Sequence, residues 1–227
     1  RGTYVPLYGT TDKKPVNVDA FTIDVYPVTN AEFLAFVKKN PAYSRSKIKG
    51  LFADDSYLST WENDYSFGKI NKSNSPVTNV SWFAAKKYCE CEGKRLPSMD
   101  EWEYVAMADE KLIDARTKEQ FNKYILAWYE KNQTYNNAIG QTYKNYWGVY
   151  DMHGLIWEWT YDFNSIFLSG ESRKDKDTDT ELFCGSASIN ASDLMNYAAF
   201  MRFAFRGSLK ASYTTKNLGF RCAKDVK

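Results

Sequence analysis

The chain has 227 residues, 44% hydrophobic and 26% charged, which is enough for one sizeable domain with its own core. Thirty basic against 28 acidic residues leave a net charge of +2. That excludes the broad basic field of a nucleic-acid binder or a membrane-surface protein. No apolar run approaches the roughly 20 residues of a membrane span. One histidine, His153, excludes any iron centre that needs two or three imidazoles from this chain.

In chain order, "VNVDAFTIDVYPVTN" (16–30) alternates apolar and polar residues and predicts a half-buried strand. "TNAEFLAFVKKN" predicts a helix: Thr29 and Glu32 form a capping box, and Phe33, Phe36 and Val37 recur at helical spacing. Residues 42–75 are weakly periodic and are expected to be mainly surface loop with short helical turns. "PVTN" occurs at 27–30 and again at 76–79. A second helix follows, "VSWFAAKKYCECEG", ended by Gly93, so the same strand-to-helix entry is expected twice. "KRLPSMDEWEYVAMA" predicts a short strand, Pro97, and a helix opened by a box of Ser98 with Glu101.

Between these elements and the tail, "SRKDKDTDTE" (172–181) imitates the start of a calcium loop through Asp175, Asp177 and Asp179. Thr180 stands where that loop needs Gly, and Ser186 where it needs Glu, so a solvated loop is expected. The tail "MRFAFRGSLKASYTTKNLGFRCAKD" is expected to form strands around a polar turn. No linker appears, so residues 1–227 are expected to form a single α+β domain rich in irregular structure.

"YDMHGLIWEW" (150–159) holds the only histidine between Asp151 and Glu158. By residue type this is a metal site, a catalytic dyad, or a core that carries charges. Buried carboxylates need partners or a cation in any of the three.

Five blocks, in order, carry a resemblance: "YPVTNAEF", "PVTNVSWFAAKKYC", "GKRLPSMDEWEY", "YWGVYDMHGLIWEW" and "NLGFRC". Together they resemble the formylglycine-generating enzyme family, also called sulfatase-modifying factors. The resemblance implies that family's fold, a variant of the C-type lectin fold with much irregular structure and many buried aromatics. The 17% aromatic content suits it. The family's enzymes oxidise a substrate cysteine with a copper-binding cysteine pair, and soft thiolates suit Cu(I). Here Ile189 and Ala198 fall at those two positions, with "ASDLM" as a short insertion between them. Copper and formylglycine generation are therefore not expected.

What remains is a candidate cleft of Trp157, Ser186, Ser188, Asn190, Tyr197, Arg202 and Arg206. Apolar "YAAFM" is expected to fill it. In the family the 150–159 loop binds a structural calcium, which implies ligands at Asp151, Gly154, Ile156 and Glu158 and leaves His153 outside the site. Cys89 and Cys222 match a family disulfide, which implies an oxidising compartment. The resemblance is strongest to exported, periplasmic relatives that accompany copper nitrite reductase. It implies an accessory or maturation factor with a respiratory metalloprotein or a peptide as partner. An enzyme acting on a peptide or small molecule, and a lectin-like binding module, are the alternatives.

Overall fold

The computed structural model describes residues 1–7, 14–164 and 194–226. Three two-stranded pairings organise it. Strand β1 (Gly2–Tyr4) pairs antiparallel with β2 (Val16–Val18), and β3 (Phe21–Ile23) pairs antiparallel with β6 (Ala223–Asp225). Strand β4 (Trp157–Glu158) pairs in parallel with β5 (Leu218–Gly219). Among the described residues five α-helices accompany these pairs: α1 (Asn30–Lys39), α2 (Trp82–Cys91), α3 (Met99–Ala106), α4 (Glu119–Tyr129) and α5 (Leu194–Ser208). No helix of the described residues is long and apolar enough to cross a membrane.

Local sequence sets the helix starts. Thr29 and Glu32 close the expected capping box on α1, and Ser98 and Glu101 close the other on α3. The expected strand at Lys94–Pro97 is reduced to one bridge, in which Arg95 exchanges both backbone bonds with Ala223. The two PVTN segments do not make the same entry. They face one another through a Thr29–Pro76 bridge, with the Val77 N–H donating to the Val28 carbonyl. Thr29 caps α1 directly, whereas α2 is capped by Ser81, after Asn79 turns through a positive φ of 55°.

The main core lies between α1, α2 and the C-terminal strands, around Phe33, Val37, Ala84, Leu96, Trp159 and Phe220. Residues 42–75 correct the expectation of a surface loop. They lack long regular elements, yet Ala53, Tyr57, Leu58 and Trp61 are buried in that core. Irregular backbone can do this when its polar groups are paired. The Leu58 N–H donates to the Asn79 carbonyl, and Trp61 Nε1 donates to the Asn30 side chain.

The Cys89–Cys222 disulfide ties α2 to the segment between β5 and β6 across 133 residues. Along that segment side chains alternate. Phe220 and Cys222 enter the main core while Arg221 points to the other face.

Candidate functional site

The 150–159 loop is held from both ends. Asp151 is fully buried at a positive φ of 61°. Its carboxylate accepts from the N–H groups of Gly140 and Thr142 and from the Thr142 hydroxyl. Gly154 has a φ of +102°, and a Cβ there would sit 2.4 Å from the Tyr124 hydroxyl, so only glycine fits. His153 turns inward. Nε2 donates to the Ala106 carbonyl at 2.9 Å, and the ring packs edge-on against Trp102 and Phe121. Burial, with Arg202 adding to it, pushes the imidazole pKa down to about 3. His153 is a neutral core side chain at neutral pH. Among the described residues no cluster of three His, Cys, Asp or Glu side chains is arranged for a metal.

Glu158 carries the second charge of the loop. Arg221 grips its carboxylate through Nε and Nη2, both at 2.8 Å, and Trp102 Nε1 donates to it at 2.8 Å. Both members of the ion pair are fully buried. The remaining Arg221 donors reach the carbonyls of Asp24, Val25 and Tyr150.

On the far side of Trp102, the Arg206 guanidinium lies 4.8 Å from the indole ring. Arg206 and Arg202, one turn apart on α5, both clamp Glu103 of α3, at 2.6 and 2.8 Å. Burial alone would raise the Glu103 carboxyl, but the two arginines overcome it and hold the group well below the usual carboxylate range. Arg202 also donates to the Tyr129 hydroxyl, and the Tyr129 ring stacks on Trp157 at 4.9 Å.

The calcium set divides on this geometry. Each Glu158 oxygen already accepts two hydrogen bonds and Arg221 balances its charge, so Glu158 is the less available oxygen donor of the set. Asp151 does fit. It is an anionic oxygen donor set in a tight turn, and no described donor reaches the main-chain carbonyls of Gly154 and Ile156.

The candidate cleft does not form as one pocket among the described residues. Trp157 borders a cavity of about 330 Å³ at the end of α4, while Arg202 and Arg206 border a separate one of about 320 Å³ beside Asp100, Glu103 and Asp162. Trp157 itself packs against Tyr129, Trp128 and Phe205. Tyr197 is 41% exposed and borders neither cavity. Ser186, Ser188, Ile189, Asn190 and Cys184 lie outside the described residues. Ala198, at the second copper-ligand position, is buried against Ala115, Phe121 and Ile125.

The expected strands at the start of the tail are corrected. Residues 194–208, which include "MRFAFRGS" of that tail, are helix α5. Its buried residues Ala198, Ala199, Arg202 and Arg206 recur at helical spacing. Helix α4 was not expected, although Phe121, Ile125 and Trp128 carry the signal at i, i+4 and i+7. Glu103 and Tyr129, which complete the arginine network, had no local signal, because their partners lie 73 to 103 residues away.

Comparison with known proteins matches residues 5–226 to the family described as "Sulfatase-modifying factor enzyme 1-like domain". The inactive C-alpha-formylglycine-generating enzyme 2 of Bos taurus is 27% identical, over 92% of this chain and 79% of that protein. The formylglycine-generating enzyme of Mus musculus is 28% identical, over 96% of this chain and 69% of that protein. The serine/threonine-protein kinase Pkn1 of Chlamydia trachomatis is 26% identical over 96% of this chain, which corresponds to 36% of that larger protein.

Proposed function

The chain belongs to the sulfatase-modifying-factor family, and on that premise we propose that it is an accessory or maturation factor that does not generate formylglycine. One observation carries the proposal: the cysteine inventory. Two of the four cysteines are joined in the Cys89–Cys222 disulfide, and Cys91 is exposed at the end of α2. Cys184 alone is left near the copper positions in the sequence, and Ala198 is packed into an apolar cluster. A single thiolate does not hold Cu(I) as a pair does.

The finer reading is an exported, periplasmic factor that serves a respiratory copper protein such as nitrite reductase. Its support is the likeness of the sequence blocks and a disulfide suited to an oxidising compartment. Calcium is part of the proposal in a narrowed form, with Asp151 and the carbonyls of Gly154 and Ile156 as ligands and Glu158 left to Arg221.

The test is a cysteine-containing sulfatase peptide incubated with the protein, copper and oxygen and weighed by mass spectrometry. The peptide should return unchanged. Conversion of its cysteine to the aldehyde overturns the proposal, and loss of that conversion in Cys184→Ser would then locate the nucleophile. For the finer reading, the protein should speed copper loading of an apo nitrite reductase, and an unchanged loading rate removes that partner.

A further inference from the structure

We infer that the cavity at the C-terminal end of α4 binds a small anionic saccharide, a sugar ring bearing one phosphate or carboxylate. The inference is independent of the accessory role. The cavity measures about 330 Å³, at the small end of the range for ligand pockets, about 300–1,000 Å³. None of its described lining residues is acidic, while Lys131 and Lys216 stand on its rim, and neither pairs with a described carboxylate. The rim is therefore positive, whereas the buried arginines of the described residues are paired. Arg202 and Arg206 share Glu103, and Arg221 holds Glu158.

Besides the two lysines, the polar lining is mainly amide. Asn132 and Gln133 each present a donor and an acceptor, which matches hydroxyl groups that do both. Gln133 is set in the left-handed region, φ 61°, ahead of the short helical turn Thr134–Asn136. That turn is pinned by Thr134, which accepts from Trp128 Nε1 and donates to the Leu155 carbonyl. The rim is thus fixed before a ligand arrives.

The apolar part is aromatic. Tyr135 and Trp157 line the cavity, and Trp157 is backed by Tyr129 and Phe205 at 4.9 and 4.5 Å. The only aliphatic side chain among the described lining residues, Leu155, is 1% exposed, so these residues offer no slot for an aliphatic peptide side chain. Aromatic walls, amides and unpaired lysines suit a hydroxylated ring with a negative group. They do not suit a neutral or apolar ligand.

The experiment titrates the full chain with glucose 6-phosphate and with glucuronate, with glucose and inorganic phosphate as separate controls. Tryptophan fluorescence reports, because Trp128 and Trp157 border the cavity. At least one anionic sugar should give a saturable response that weakens at least about tenfold in Lys131→Ala or Lys216→Ala. The melting temperature of each variant should match that of the parent, because both lysines are exposed. Three results overturn the inference: phosphate alone binding as well as the sugar phosphate, glucose binding as well as either anion, or no saturable response up to about 10 mM.

Discussion

Glu158→Gln is the sharpest perturbation the fold allows. Gln matches Glu in shape, so no cavity opens. What changes is charge: Arg221, fully buried, loses its counter-ion, and an oxygen that accepts from Arg221 and Trp102 becomes an NH2 donor facing donors. Breaking a buried pair by altering one partner costs about 3–5 kcal/mol, because the remaining charge cannot regain water. A domain of this size is stable by about 5–15 kcal/mol, so the variant should lose a large share of its margin. At about 2–4 °C per kcal/mol, the melting temperature should fall by about 6–20 °C. Urea unfolding followed by tryptophan fluorescence measures the change, and an unaltered m-value would show that the denatured state is not the cause. Pairing Glu158→Gln with Arg221→Met should recover only part of the loss. The carbonyls of Asp24 and Tyr150 then lose their Arg221 donors, whereas Val25 O keeps the N–H of Tyr150. A loss under about 1 kcal/mol for Glu158→Gln refutes the reasoning, since it would mean that the Arg221 charge is solvated or neutralised elsewhere.

Closing the loop between Cys89 and Cys222, 133 residues apart, contributes about 5 kcal/mol in the chain-entropy treatment, an upper figure. Thiol counting on unreduced, denatured protein should find at most two free thiols, reduction should lower the melting temperature, and four free thiols would refute the bond. His153 has a folded pKa pushed down to about 3 from an ordinary 6.5. Its contribution to stability is therefore fully present above pH 6.5 and is lost as pH falls from 6.5 towards 3. The only imidazole signals in the NMR spectrum should accordingly show no titration between pH 8 and 5, and a midpoint above 6 refutes its burial. Calcium should raise the melting temperature of the parent and not of Asp151→Asn, and no calcium-dependent rise in the parent withdraws calcium from the loop.

The features legible in the sequence are those whose cause spans a few residues. The capping boxes of α1 and α3 lie within four residues, so Thr29 with Glu32 and Ser98 with Glu101 were visible before any fold was known. The order of the five blocks carried the family and the α+β class, and with them the Cys89–Cys222 pairing, which its spacing alone does not specify.

Tertiary structure decided the rest. "MRFAFR" is expected with the rest of the tail as strand, yet it is helical. A helix puts Arg202 and Arg206 one turn apart, close enough for Glu103 to neutralise both, whereas a strand would hold them about 13 Å apart on the same face. Residues 42–75 have little periodicity because their burial follows the shape of the core rather than a repeating face. The titratable triplet of the 150–159 loop, Asp151, His153 and Glu158, was the most ambiguous stretch. Its outcome rests on Arg221, Thr142 and Ala106, which no local pattern connects to it. A buried charge takes whatever partner the fold delivers, and that partner is set by packing across the whole chain.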